Sequence, residues 1–470
     1  MNCSRVLVVR LPCRKIYPIG PVYLLSQLKR ARGGLSLRLL DLALVEPAMR
    51  ASTARRLIRD FRPDAVAFSW RDVQIFSPQD MDGAMRDSFA FFYDPSPFQK
   101  ARAAVRGLAD ILSYRSAISH NLSLIRDVCE AAPESLVAVG GPAVRVFGDL
   151  LKPQLPRRVH VLSDVGRFLE LLDIPVPENL DEPRMDFPAV EEAFPQWTAY
   201  QTEEIGVQTK RGCPHRCLYC VYGFLEGRQV LRREGENVVR EVEGYHTRWG
   251  ARRFWFTDAQ LLTDPADDDH LEEILKGMLK ARLDLSWSGY MRIDRLKPSL
   301  ADLMVRTGLR DLEIALNSGA QSVIDRLRMG FSVEEVMEGF KVLKSAGYKG
   351  RVLVDLSLNS PGETEETLKE TLGVFNDISR MFTPDRVTPV VFFLAVQPHT
   401  ALERMALDDG LLKEGYDPLS VRPWDLLRLI YNPPPLGRLI GRSCALAFRN
   451  GQPDRGRAIL ANLEAELESK

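Results

Sequence analysis

Arg211-Gly212-Cys213-Pro214-His215-Arg216-Cys217-Leu218-Tyr219-Cys220 is the stretch from which the rest of this chain is read. It holds three cysteines in the spacing CxxxCxxC, close enough for one loop to turn all three sulfurs toward a common centre. Three thiolates suit an iron–sulfur cluster better than zinc, because structural zinc takes four protein ligands, commonly in paired CxxC arms. A 4Fe–4S cluster is ordinarily held by four cysteines, so three leave one iron open to an atom of a substrate or cofactor. The other four cysteines, Cys3, Cys13, Cys129 and Cys444, are dispersed and form no second CxxC. A zinc knuckle, or thiols buried simply as small apolar groups, is the competing reading.

The chain has 470 residues, 45% hydrophobic and 27% charged, the proportions of a globular protein with room for two or three domains. Its 63 Lys and Arg balance 63 Asp and Glu, which gives no reason to expect a nucleic-acid partner. No apolar run approaches the roughly 18 residues of a membrane span. Met1-Asn2-Cys3-Ser4-Arg5 leads into a short strand pattern without the apolar core and small-residue site of a signal peptide. Clustered and scattered cysteines of this kind fit a reducing compartment, so the expected location is cytoplasmic.

With the aromatic Tyr219 just before its last cysteine, the CxxxCxxC stretch resembles the signature of the radical S-adenosylmethionine (SAM) enzymes. The resemblance implies a 4Fe–4S cluster with Cys213, Cys217 and Cys220 as its only protein ligands, and Tyr219 beside the cofactor. In that family the open iron chelates the amino and carboxylate groups of S-adenosyl-L-methionine. One electron then cleaves the cofactor to a 5′-deoxyadenosyl radical, which removes hydrogen from substrate. The protein positions the cofactor and excludes water. The implied partners are a small-molecule substrate and an external one-electron donor such as a flavodoxin or ferredoxin. No catalytic residue is assignable beyond the cluster.

Toward the N-terminus, strand alternates with helix. Val6-Leu7-Val8-Val9 is an apolar run without alternation, as in a parallel strand covered on both faces. Residues 22–30 and 52–61 have helical spacing, 35–42 and 65–69 read as strands, and Ser135-Leu136-Val137-Ala138-Val139-Gly140-Gly141 is a strand closed by a glycine pair. Residues 1–172 therefore predict a doubly wound, Rossmann-like sheet, whose ligands bind beyond the carboxyl ends of the strands. Those ends carry Leu11-Pro12, Ser69-Trp70 and Gly140-Gly141, with a Tyr17-Pro18-Ile19-Gly20 turn before the first helix. The glycine pair allows close backbone approach to a ligand, or makes only a tight turn. The layout resembles the cobalamin-binding domain that precedes the cluster domain in one radical SAM subgroup. That resemblance implies cobalamin contacts at Tyr17, Ser69, Gly140 and Gly141. No Asp-x-His-x-x-Gly motif is present, so no histidine is identifiable as a lower cobalt ligand. The long connection 71–116 contains Phe89-Ala90-Phe91-Phe92-Tyr93, read as core packing in preference to a ligand cover.

Residues 173–203 read as a linker, rich in proline and acid. Ile205-Gly206-Val207-Gln208-Thr209 then delivers the cysteine loop, and five further strands near 253–258, 285–290, 311–315, 352–358 and 387–395 alternate with helices. Six βα units over 204–412 predict a partial (β/α)6 TIM-type barrel, with its site at the C-terminal strand ends. Under the resemblance, Asp258 accepts from the cofactor ammonium, Arg292 pairs with its carboxylate, and Asn317 and Ser318 meet the ribose. For each, plain support of the fold is the competing reading. The family often has Glu-Ser-Gly where Asn317-Ser318-Gly319 stand, Gly where Asn359 stands, and Pro-Gly-Thr where Pro398-His399-Thr400 stand. Residues 413–470 form a small, mostly helical C-terminal extension, with helices expected at 424–430 and 458–467.

The leading expectation is a cobalamin-dependent radical SAM enzyme that methylates an unactivated carbon of a small-molecule metabolite. An oxidative cyclase or rearrangement enzyme of pigment or natural-product biosynthesis is the alternative within the subgroup. A non-catalytic cobalamin- or metal-binding regulator is the alternative of another class. A methylthiotransferase is disfavoured, because no second cysteine triad is present for an auxiliary cluster.

Overall fold

The structure is a computed structural model and describes residues 3–71, 81–178, 180, 182–420, 422, 425, 428–449 and 454–469. Its contacts divide the chain into two compact units. One is Met1–Gln79, Tyr114–Val207 and Glu236–Phe254; the other is Asp80–Ser113, Gln208–Gly235 and Trp255–Lys470. Among the described residues no helix is long and apolar enough to cross a membrane.

The first unit holds β1 (Arg5–Arg10), β2 (Ser36–Asp41), β3 (Ala65–Ser69), β4 (Leu136–Gly140) and β5 (Val159–Val161), parallel throughout in the order β2-β1-β3-β4-β5. Residues 6–10 of β1 are all buried, the pattern of a strand covered on both faces. The winding reverses between β1 and β3, and in such sheets ligands bind at that switch point. At the carboxyl end of β1, Arg10 forms a buried ion pair with Asp41 at 2.8 Å, and the Tyr200 hydroxyl donates to the same carboxylate at 2.6 Å. Within the stretch read as linker, acid and proline act as helix punctuation. Asp186 caps the helix Phe187–Ala193 by accepting from the Ala189 N–H at 3.0 Å, and Pro195 opens the 3-10 turn Pro195–Tyr200.

The chain continues with β6 (Ile205–Val207), β7 (Lys210–Arg211), β8 (Leu231–Arg232), β9 (Arg253–Phe256), β10 (Ser286–Tyr290), β11 (Leu309–Asn317), β12 (Arg351–Ser357) and β13 (Val387–Phe392). Six of these form one sheet, ordered β13-β12-β11-β10-β9-β6, and the pairs from β10 to β13 are parallel. The crossovers contain the helices Pro265–Lys280, Pro298–Arg306, Val333–Ser345 and Glu365–Phe382. Three of them open on capping boxes at Asp264, Ser332 and Thr364, which satisfy the free N–H groups of the first turn. Strand order that follows chain order through helical crossovers makes this a partial (β/α)6 TIM-type barrel.

In the second unit the aromatic run packs as core. Helix Met81–Tyr93 lies along helix Leu436–Arg449, and Phe89 meets Phe448 and Phe393 at ring-centroid distances of 5.9 and 5.4 Å. A Cβ on Gly441 would come within 2.5 Å of the Tyr93 ring, so glycine is what lets these helices approach. Helix Arg455–Glu468 covers the start of β13, where Arg457 donates to the carbonyls of Pro384 and Val387 at 2.8 and 2.7 Å. Covering an edge strand removes a template for unwanted pairing. Residues 424, 426 and 427 of the helix expected at 424–430 lie outside the described residues.

Candidate cluster and cofactor site

The cysteine loop is fastened at its base. β7 and β8 pair antiparallel, so residues 212–230 leave and return at one point. The buried Lys210 ammonium makes an ion pair with Asp267, which also accepts from Arg232 Nε at 2.8 Å and from the Thr263 backbone N–H at 2.7 Å. Burial pushes the Asp267 carboxyl up, but the Lys210 charge and these bonds outweigh it and hold the group below the usual carboxylate range. Gly212 sits at φ +90°, and a Cβ there would strike the Gln229 carbonyl oxygen. Further along, the Leu218 N–H donates to the Leu327 carbonyl at 2.9 Å, and the Leu218 carbonyl accepts from Leu402 at 2.8 Å.

Cys213 is buried, Cys217 and Cys220 are half-buried, and all three are free thiols. Burial, then the neighbouring thiols, pushes Cys217 up to about 12, and burial also raises Cys213 and Cys220. The surroundings favour thiolate in other ways. The His215 N–H bonds the Cys213 sulfur and the Tyr222 N–H the Cys220 sulfur, while Lys210, Arg228 and Arg292 add positive charge. Thiols that resist ionising alone, yet are met by N–H donors and cations, suit a metal centre that displaces their protons. Among the described residues no group of three His, Cys, Asp or Glu side chains meets the geometry for one metal ion. Ligands on one tetrahedral zinc at about 2.3 Å would stand roughly 4 Å apart. A cluster gives each thiolate its own iron and makes no such demand. The donor set fits a 4Fe–4S cluster on Cys213, Cys217 and Cys220.

Arg292, just past β10, has its donors fully committed. Its Nε and Nη2 pair with Asp294 at 2.9 Å each. Nη2 also reaches the Gly330 carbonyl and Nη1 the Met329 carbonyl, both at 2.9 Å, and Nη1 lies 3.1 and 3.2 Å from the ring nitrogens of His215. A guanidinium carries five N–H donors, and these contacts occupy them. Burial, then the Arg292 charge, lowers His215 to about 4, so a neutral ring faces the guanidinium. In this arrangement Arg292 clamps the cysteine loop.

Asp258 is likewise engaged. It accepts from the backbone N–H groups of Thr209 and Lys210 at 2.8 and 3.2 Å and from the Thr209 hydroxyl, which ties the entry to the loop. Ser318 is buried, its hydroxyl 3.0 Å from Thr371 Oγ1. Asn317 ends β11 at φ +65°, a conformation asparagine tolerates better than most residues, and its Nδ2 donates to the Tyr219 hydroxyl at 3.1 Å. The structure thus joins Tyr219 to Asn317, and the cysteine loop to Arg292 through His215. Asp258 and Ser318 it gives to backbone support.

Sequence reading passed over the strand interiors. Trp255, Tyr290, Glu313 and Asp355 stand on the successive strands β9 to β12. The Trp255 and Tyr290 rings meet edge to face at 5.3 Å, Tyr290 is the register partner of Glu313, and Tyr290, Glu313 and Asp355 lie within electrostatic reach of one another. Asp355 is 9% exposed. Burial, then the Glu313 charge, pushes it up to about 8, and burial raises Glu313 as well. Asp355 Oδ1 has no hydrogen-bond partner among the described residues. The pair lies within electrostatic reach of the cysteine loop, since Asp355 acts on Tyr219 and Tyr222 on Tyr290. The signal available was an acid inside each apolar strand, Leu312-Glu313-Ile314 and Val354-Asp355-Leu356.

In the first unit, Ser69 and Gly140 are register partners at the ends of β3 and β4. Gly141 follows at φ +106°, where a Cβ would stand 2.5 Å from the Trp70 carbonyl oxygen. Gly141 thus serves the turn onto Trp70, while Ser69 and Gly140 end adjacent strands at the carboxyl edge, where ligands of such sheets bind. Tyr17 is only 5% exposed, with its hydroxyl 2.8 Å from that of Tyr245 and its ring edge-on to Tyr200, Tyr245 and Trp249. It packs as core of the unit.

An anchored thiol triad at the entrance to a partial βα barrel, in one chain with a doubly wound sheet, is the architecture of a radical SAM protein with an N-terminal Rossmann-like domain. The model of the Radical SAM superfamily matches residues 207–374, so the chain carries a domain of that superfamily. An uncharacterized methyltransferase of Pyrococcus horikoshii is 22% identical over 166 residues, 35% of each chain. The tRNA-2-methylthio-N(6)-dimethylallyladenosine synthase of Pelobacter propionicus is 23% identical, over 52% of this chain and 57% of its own. The chain therefore spans about a third to just over half of the length of these relatives. The methyltransferase TsrM of Kitasatospora setae, solved with cobalamin and a [4Fe-4S] cluster, superposes with a TM-score of 0.65 at 15% identity over 98% of this chain and 89% of that one. The two proteins share the fold.

Proposed function

We propose that this chain is a cobalamin-dependent radical SAM methyltransferase that acts on an unactivated carbon of a small molecule. The observation that carries the reading is the fastened Cys213-Cys217-Cys220 loop in one chain with the glycine-edged, doubly wound sheet. The methyltransferase name of the Pyrococcus horikoshii relative supports it, as do the TsrM structures, one of which holds tryptophan substrate and a SAM analogue. When bound, the cluster and SAM supply the radical that opens the substrate carbon, and cobalamin supplies the methyl group. The chain's own part is to hold the three thiolates, lock the loop through Arg292 and His215, and set the Tyr219–Asn317 pair beside the cluster loop. The methylthio relatives do not shift the reading. Cys3, Cys13, Cys129 and Cys444 are dispersed along the sequence and supply no second cysteine triad for an auxiliary cluster.

Protein expressed with ample cobalamin and reconstituted with iron and sulfide is the material for the test. Reduced, and given SAM with L-tryptophan and other small-molecule candidates, a methyltransferase yields S-adenosylhomocysteine as well as 5′-deoxyadenosine. 5′-Deoxyadenosine alone from cobalamin-loaded protein, with every candidate that is turned over, would favour the cyclase reading. Protein that takes up no cobalamin would contradict the proposal.

A further inference from the structure

We propose that Glu313, Asp355, Tyr290 and Trp255 form a cation-recognising subsite that receives a protonated amine of the substrate, an assignment that rests on the enzyme reading above. Glu313 on β11 and Asp355 on β12 lie within electrostatic reach of one another, Tyr290 is the register partner of Glu313, and the Trp255 ring backs Tyr290 at 5.3 Å. Several other buried acids of this unit are met by basic side chains. Lys210 and Arg232 meet Asp267, Arg310 and Arg351 meet Asp311, and Arg86 and Arg106 meet Asp87. The Glu313–Asp355 pair is different. The groups that act on it are burial, the two carboxyls themselves and Tyr290, with no lysine or arginine among them. From the cysteine loop, Tyr219 lies within electrostatic reach of Asp355 and Tyr222 within reach of Tyr290, and neither brings a positive charge.

Two neighbouring carboxyls without a cation do not both ionise at neutral pH and hold a proton between them. Even then Asp355 Oδ1 stands unpartnered in a residue 9% exposed, a cost that the packing of the strand does not explain. A protonated amine answers both deficits. Its N–H groups reach the orphaned oxygen, and its charge replaces the shared proton, which leaves to solvent. A neutral alcohol of the same shape offers neither charge nor sufficient donors. The subsite therefore selects substrates that carry a basic nitrogen, and it is stronger at a pH where the pair is ionised.

Calorimetric titration of the full-length, reconstituted protein with benzylammonium, in buffers of different ionisation enthalpy, tests this. At about pH 6.5 binding should release close to one proton, and affinity should rise roughly tenfold by about pH 8.5. Benzyl alcohol should bind at least about tenfold more weakly, and Asp355→Asn and Glu313→Gln should each cost benzylammonium about tenfold. Two variants are used so that misfolding of one leaves the other informative. Equal affinity for amine and alcohol, no proton release, or unchanged binding in the folded variants would overturn the assignment. SAM that competes with benzylammonium would also overturn it, by giving the pair to the cofactor's own ammonium. The enzyme reading fails on a separate result, the absence of SAM cleavage by reduced wild-type protein, whatever the amine titration shows.

Discussion

Arg292 Nη1 lies 3.1 Å from His215, inside the cysteine loop, while the rest of the guanidinium is spent on Asp294, Met329 and Gly330. A lysine would bring charge but could not span four partners in fixed geometry. Arg292→Lys should cost about 2–4 kcal/mol of stability and speed iron loss to a chelator several-fold. SAM affinity of protein that keeps its cluster should change less than about threefold. Normal iron retention with a large loss of SAM affinity would return Arg292 to the carboxylate-binding role read from the sequence.

The glycine pair separates two effects. At Gly141, positive φ and the Trp70 carbonyl both forbid a side chain, so Gly141→Ala should destabilise the first unit by at least about 2 kcal/mol. At Gly140 the nearest atom, the Leu162 carbonyl oxygen, stands 3.5 Å from a built Cβ, so Gly140→Ala should fold. If the strand-end edge receives cobalamin, folded Gly140→Ala should take up less of it than wild type, as read by visible absorption after gel filtration. Full uptake would place the ligand elsewhere.

Both sheets were readable because their strands are apolar runs separated by helical spacing, as Val6-Leu7-Val8-Val9 shows, and because three cysteines in eight residues have few other uses. What Arg292, Asp258 and Ser318 do was not readable. Each is a polar residue at a strand end, which sequence reading assigns to a ligand, but their partners come from segments whose approach only folding decides. Met329 and Gly330 offer backbone carbonyls, and a carbonyl has no signature in sequence. Tyr17 belongs to the same class, since Tyr245 and Trp249 reach it from far along the chain. Glu313 and Asp355 were visible as acids in apolar strands, but the register that sets Glu313 beside Leu353, two residues before Asp355, is decided only by folding. Asn359 shows the same limit. It stands at φ +58° and donates to Asn432 and the Pro433 carbonyl at 2.7 and 2.8 Å, so the C-terminal extension is tied to a strand end that the sequence left unpartnered.

Glu363 gives a pH dependence with a definite sign. Burial pushes its carboxyl from 4.5 up to about 8, although it accepts from the Ser360 N–H at 3.0 Å. Between those two values the folded chain keeps a proton that the unfolded chain has lost, so this group makes stability fall as pH rises through the window. Glu363→Gln removes this contribution, and the unfolding free energy from urea titration should lose up to ~1.4 kcal/mol per pH unit of its downward slope between about pH 5 and 8. A variant with the wild-type slope would show that Glu363 ionises normally.

The central claim is that Cys213, Cys217 and Cys220 alone carry a cluster that opens SAM. Its most direct test is iron content together with 5′-deoxyadenosine formation in anaerobically reconstituted, reduced protein, for wild type and for Cys217→Ala. The account predicts about four irons per chain and SAM-dependent 5′-deoxyadenosine in the wild type, with the product abolished in Cys217→Ala. A Cys217→Ala protein that holds the full iron complement and still cleaves SAM would contradict it.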